Sequence, residues 1–302
     1  MACYECTAGF LFEWSSECRH RPMSSRSRSG IDHENIGTNE MNTSSHVPPP
    51  PQRFRWFHFW VLASLGVLGM IAVLPFVLAA FADKLPTWNL PMPVFIAIQA
   101  VQTAVFIGGM TALGLILAGK TGLSLPLLDA LEARRGAWLV LQRIAPVSLL
   151  SGSLVGVLVV LSELALKPYL PHHPPLNIAP WKGLLASLYG GIDEEIVMRL
   201  FLMSLVAWLF GLKWRSTDGR PSQGVLLAAN LLVALVFGLG HLPAAARVTT
   251  STPALVAMVV GLNSLGGLLF GYLYARRGLE AAMIAHFSGD VIIHFVGPMF
   301  FH

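Results

Sequence analysis

Charge is scarce in this chain: Asp, Glu, Lys and Arg make up only 12% of its 302 residues, against 54% hydrophobic residues, and the mean hydropathy is +0.63. A soluble domain of ordinary kind needs roughly 25–35% charge on its surface, so that class is excluded. Cysteine is scarcer still. Cys3, Cys6 and Cys18 all lie near the N-terminus, which leaves the rest of the chain with neither a disulfide framework nor a thiol nucleophile. No serine stands out beside a histidine either. The net charge of +4 does not point to nucleic acid, because Lys and Arg sit in short loops between apolar runs and do not line one face of a polar domain. The charged, apolar and small-residue order of a cleavable leader is missing, so the first apolar run is expected to anchor uncleaved.

Two compositional regions remain. Residues 1–52 are rich in Ser, Asn, His, Arg and Pro, lack a sustained apolar period, and read as a disordered tail. The residues up to 40 read as an upstream extension ahead of Met41. Cys3, Cys6, Cys18 and His20 have a spacing that no standard zinc site uses, so no metal is expected there. Residues 53–302 carry apolar runs at about 57–82, 93–118, 146–166, 181–212, 224–242, 253–275 and 279–300. The expected fold is therefore all-α, a polytopic membrane helix bundle of about seven transmembrane helices. Placing Arg53 and Arg55 in the cytoplasm puts most other Lys and Arg there too, so the N-terminus is expected inside. Residues 123–136 alternate Leu with charge and are expected to form an amphipathic helix on that surface.

One match is accidental. Residues 114–121, GLILAGKT, fit the Walker A pattern, but they end a membrane span with no preceding buried strand, so Lys120 reads as an interfacial anchor. Gly152 with Gly156, and Gly267 with Gly271, are pairs of the small-xxx-small kind that let helices approach closely.

The informative stretch is GIDEEIVMRLF at 191–201, inside an apolar run. Each ionised side chain at mid-membrane costs about 2.5–3.5 kcal/mol on insertion scales, so Asp193, Glu194, Glu195 and Arg199 together would cancel most of the segment's drive to insert. Glu195 and Arg199, at i and i+4, project about 40° apart and can pair internally. Glu194 is left over. Two later runs carry polar groups that could meet it: Phe237 and His241 share a face in ALVFGLGHLP, and His286 and Asp290 share one in MIAHFSGDVIIH. A count of rise per residue raises an objection. His286 falls about 12 Å from the Arg276 end and His241 nearer 28 Å from Ser222, so the two would not meet if both helices began at the surface.

EEIVMR at 194–199, FGLGH at 237–241 and HFSGD at 286–290 resemble the three ordered motifs, Glu-Glu-x-x-x-Arg, Phe-x-x-x-His and His-x-x-x-Asn or Asp, of the CPBP family. These are CAAX prenyl proteases and bacteriocin-processing or Abi-type intramembrane proteases. The resemblance covers about residues 180–300 and implies hydrolysis of a peptide bond in a hydrophobic or lipidated peptide. By similarity, Glu194 and His241 would activate a water, His286 with Asp290 would stabilise the oxyanion or position the water, and Glu195, Arg199 and Phe237 would support the site. Family members have been described both as metalloproteases and as glutamate proteases. Two states of the cofactor follow: none, or a divalent metal such as zinc held by Glu194, His241, His286 and Asp290. An ionised Asp cannot donate to an oxyanion, so Asp290 would be protonated, orient His286, or bind metal. The polar cluster also suits a proton or cation transporter, or a scaffold that only fixes helix packing. Expected partners are the peptide substrate and membrane lipid, with no nucleic acid, and the expected location is a bacterial inner membrane.

Overall fold

The computed structural model describes residues 54–80, 91–171, 178–217 and 219–300. The tail, its cysteines and the reading of Met41 lie outside the described residues. Among the described residues the only regular elements are helices, with one isolated antiparallel bridge between Arg215 and Pro221. The helices are α1 (Trp56–Ala80), α2 (Met92–Thr121), α3 (Pro126–Glu132), α4 (Ala137–Leu166), α5 (Pro180–Tyr189), α6 (Ser204–Gly211), α7 (Gln223–Gly240), α8 (Leu242–Val248), α9 (Pro253–Arg277), α10 (Leu279–Asp290) and α11 (Gly297–Phe300).

Six segments are long and apolar enough to cross a membrane, among them Ala137–Tyr169, Gln223–Val248 and Leu279–Phe300. The protein is an integral membrane helix bundle. The seventh expected span exists in interrupted form. Between α5 and α6 the chain runs through two π-helical stretches, Gly190–Glu194 and Ile196–Met203, and the backbone at the joints Gly190, Glu195 and Ser204 stays in the right-handed helical region. A third π-helical stretch, Val291–Val296, follows α10. Such wide turns are rare and gather at functional sites. Here they fall on the two segments that carry the acidic motif residues.

Small residues set the helix spacing. A Cβ at Gly152 would run into the Ala285 carbonyl, and one at Gly156 would stand 2.6 Å from the Gly289 carbonyl, so α4 lies directly against α10. Gly267 and Gly271 do the same between α9 and α7, where they face Ala234 and Asn230. Without a hydrophobic force between helices in lipid, this close approach supplies the packing.

The amphipathic stretch folds as α3, but it is tucked inward. Leu125 and Leu128 are buried, the Leu128 amide donates to Glu280 Oε1 at 2.9 Å, and the Leu279 amide donates to the Ser124 carbonyl at 3.1 Å. The first turn of α10 is thereby covered, with Leu279, Ala281 and Ala282 fully buried. The objection from rise per residue fails on the contacts themselves, because the Phe237 ring lies against both His241 and His286. Arg55 and His58 tie α3 to α1 through Asp129, and His58 Nδ1 lies 3.3 Å from Glu132 Oε2.

Candidate active site

Glu195 and Arg199 occupy consecutive turns of the π-helical segment, and their i, i+4 spacing leaves them side by side: Arg199 Nη1 is 3.1 Å from Glu195 Oε1. Both are sealed, at 0% and 1% side-chain exposure. Burial of a guanidinium is tolerated only when its charge and its donors find partners. Besides Glu195, Arg199 has the Gly267 carbonyl, to which Nη2 donates at 3.1 Å, and two ring faces, Phe237 at 4.7 Å and Phe270 at 5.4 Å. The cation is therefore gripped by α7 and α9 as well as by its own segment.

Glu195 also reaches α10. His286 Nδ1 lies 2.8 Å from Glu195 Oε1, a hydrogen bond in which the carboxylate accepts. This orients the imidazole so that Nε2 faces two further carboxylates, Glu194 Oε2 at 3.8 Å and Asp290 Oδ2 at 3.6 Å. Phe270 stacks on the same ring at 4.5 Å between centroids and 16° between planes, which fixes its tilt. Glu194 is the most open member of the group, at 27% exposure against 5% for His286 and 17% for Asp290. Of the two adjacent glutamates, Glu194 can therefore meet water or a ligand and Glu195 cannot.

His241 follows the last residue of α7, where the helix breaks before Pro243 and α8 begins. Its Nδ1 is 2.8 Å from the Phe237 carbonyl. A carbonyl only accepts, so Nδ1 carries the hydrogen, and in the neutral ring Nε2 is the basic atom. The Phe237 ring stands between the two imidazoles, with centroids 4.7 Å from His241 and 5.6 Å from His286. Among the described residues no hydrogen bond joins His241 directly to the carboxylates.

The structure thus brings together Glu194, Glu195, Arg199, Phe237, His286 and Asp290, and attaches His241 through Phe237. Two contributors, Phe270 and Gly190, carry no sign of their part in the sequence pattern. Phe270 lies in an ordinary apolar run, and nothing in the pattern distinguishes it from a lipid-facing phenylalanine. Gly190, next to the acidic stretch, reads in the sequence as open space beside Glu194. That space is occupied: a Cβ there would run into Asp290 Oδ2 and stand 3.2 Å from His286 Nε2. Asp193 turns away from the site, is 1% exposed, and fits a notch made by Gly66 and Gly69 of α1.

The residues do not fit a metal centre. Among the described residues no group of three or more His, Cys, Asp or Glu side chains is arranged to hold an ion. Glu195 holds Nδ1 of His286 and the Phe237 carbonyl Nδ1 of His241, and the Phe237 ring stands between the two imidazoles.

Residues 176–292 match a family model described as type II CAAX prenyl endopeptidase Rce1-like, and all seven site residues fall within that match. Comparison with curated proteins and with solved structures finds no match.

Proposed function

We propose that the chain is an intramembrane endopeptidase that cleaves a prenylated or otherwise hydrophobic peptide with a water activated by Glu194 and His241, a reading supported by the match of residues 176–292 to the Rce1-like CAAX prenyl endopeptidase model. The observation that carries this reading is the gathering of an open carboxylate, Glu194, and a sealed one, Glu195, on the two nitrogens of a single buried imidazole. A general base must reach water, and an orienting carboxylate need not.

Glu194 takes the proton of the attacking water as its oxygen adds to the scissile carbonyl. His241, with Nδ1 committed to Phe237, offers Nε2 as an acceptor that aligns the same water. The oxygen of the substrate carbonyl gains negative charge as the bond forms. His286 meets it through Nε2–H while its Nδ1–H stays hydrogen-bonded to Glu195, so the working ring carries a hydrogen on both nitrogens. Asp290 holds His286 in place and is not itself required to donate. Glu194 then passes its proton to the leaving amine nitrogen. A site dry enough to sit among membrane helices strengthens each of these interactions.

The transporter alternative gains no support from the geometry. A relay needs titratable groups at successive depths, whereas Glu194, Glu195 and Asp290 crowd around one ring. The decisive experiment is cleavage of a prenylated C-terminal peptide by the purified chain in vesicles, comparing wild type with Glu194→Gln. A loss of roughly 10²–10⁴-fold in rate, with unchanged unfolding temperature, is expected for removal of a general base. Full activity in the variant overturns the assignment.

A further inference from the structure

A second concave site lies at the Lys- and Arg-rich end of the bundle, where α2 and α6 both terminate. A cavity of about 240 Å³ is lined by Lys120, Trp208, Gly211, Arg215, Gly219 and Pro221. None of these belongs to the machinery described above. The loop from α6 to α7 closes one wall: Arg215 bridges Pro221, the Ser216 amide donates to the Arg220 carbonyl at 2.8 Å, and the Gly219 amide to the Ser216 carbonyl at 2.9 Å.

Cations at helix C-termini usually serve the last carbonyls. That accounts for only part of what is present. Arg215 Nε donates to the Gly211 carbonyl at 3.0 Å, and this is the one hydrogen bond its guanidinium gives among the described residues. Lys120 gives none there. Its ammonium sits 5.1 Å above the Trp208 ring, so the indole holds it at the cavity wall. Two cations with donors unused among the described residues therefore line one bowl, beside an indole. In sequence, residues 213–220 carry Lys213, Arg215 and Arg220 against a single carboxylate, Asp218. The cavity has room for roughly eight waters, enough for a phosphate group and its ester oxygens. Arginine and lysine converging beside a tryptophan form the composition that recognises lipid phosphates.

We propose that this bowl binds the phosphate of an anionic phospholipid headgroup. The full chain is placed in bilayer discs of phosphatidylcholine containing a minor fraction of phosphatidylglycerol, and the lipids that stay bound after release are counted by native mass spectrometry. Wild type is expected to retain phosphatidylglycerol in preference to phosphatidylcholine. Lys120→Gln and Arg215→Gln each lower that preference about fivefold, and the pair about twenty-five-fold. Lys213→Gln, on the same face but outside the cavity and lying over Trp214, leaves it unchanged. Millimolar inorganic phosphate does not displace the lipid. The side chains of Lys120 and Arg215 are exposed, so the unfolding temperature and peptide cleavage of the pair variant in pure phosphatidylcholine should match wild type. Three results overturn the proposal: retention by the pair variant equal to wild type, a loss with Lys213→Gln as large as with Lys120→Gln, which would indicate a diffuse positive surface, or displacement of the lipid by inorganic phosphate, which would make the ligand a soluble anion.

Discussion

Adding one carbon at Gly190 should disable the site without unfolding the protein. Gly190 has φ of −54°, ordinary for any residue in a helix, so alanine meets no backbone penalty and gains about 1 kcal/mol in helix propensity. The conflict is with α10. The new Cβ would overlap Asp290 Oδ2 and press on His286 Nε2, and overpacking of this kind costs about 1–3 kcal/mol. The net change in stability is therefore about 0–2 kcal/mol, small enough for the bundle to persist. A displacement of about 1 Å at reacting groups costs on the order of 10²-fold in rate. The assay is kcat/KM for peptide cleavage in vesicles, measured beside thermal unfolding. Gly240→Ala serves as the control, because a Cβ there meets nothing within 4 Å although it adjoins His241. If the effect of Gly190→Ala travels through Asp290, it shrinks in an Asp290→Ala background. Wild-type kcat/KM in Gly190→Ala would refute the reasoning, since Asp290 and His286 would then not be placed where the reaction happens.

Arg199→Met should cost about 3–5 kcal/mol in chemical unfolding, because it strands Glu195 in a sealed site, and adding Glu195→Gln should recover part of that loss. His241→Ala, at a partly exposed helix end, should leave unfolding nearly unchanged while cleavage falls by roughly 10²-fold or more. Gly152→Val should push α10 off α4 and lower both stability and cleavage, read together by unfolding and rate. Phe270→Leu keeps the apolar volume roughly but removes the ring stacked on His286, so kcat should fall while KM holds.

Much of the bundle was legible because membrane spans announce themselves by length and apolarity. Six of the seven runs fall in segments long and apolar enough to cross a membrane, and the i, i+4 pairs Glu195 with Arg199, Phe237 with His241 and His286 with Asp290 all lie on shared faces. The start of α4 at Ala137 was read too late, since Arg143 and Pro146 look like loop residues, yet the helix carries both. A proline inside a membrane helix is tolerated when neighbours satisfy the freed carbonyl. The π-helical turns around Glu194 and after Asp290 were not legible. An extra residue in a turn leaves composition and hydropathy unaltered, and it is selected by what packs alongside. The parts played by Phe270 and Gly190 are hidden for the same reason, as each matters only through a partner far along the chain.

The clasp around Arg199 has a consequence for how the protein is made. Chains emerge from the ribosome N-terminus first, so the segment holding Asp193, Glu194, Glu195 and Arg199 is synthesised before Phe237, Gly267, Phe270 and His286 exist to receive it. During that interval its only internal compensation is the bond between Glu195 and Arg199, and Asp193 has only the notch in α1. Assembly of the later helices is then what makes residence of this segment in lipid permanent. A nascent chain truncated before α7 should slip back out of the bilayer.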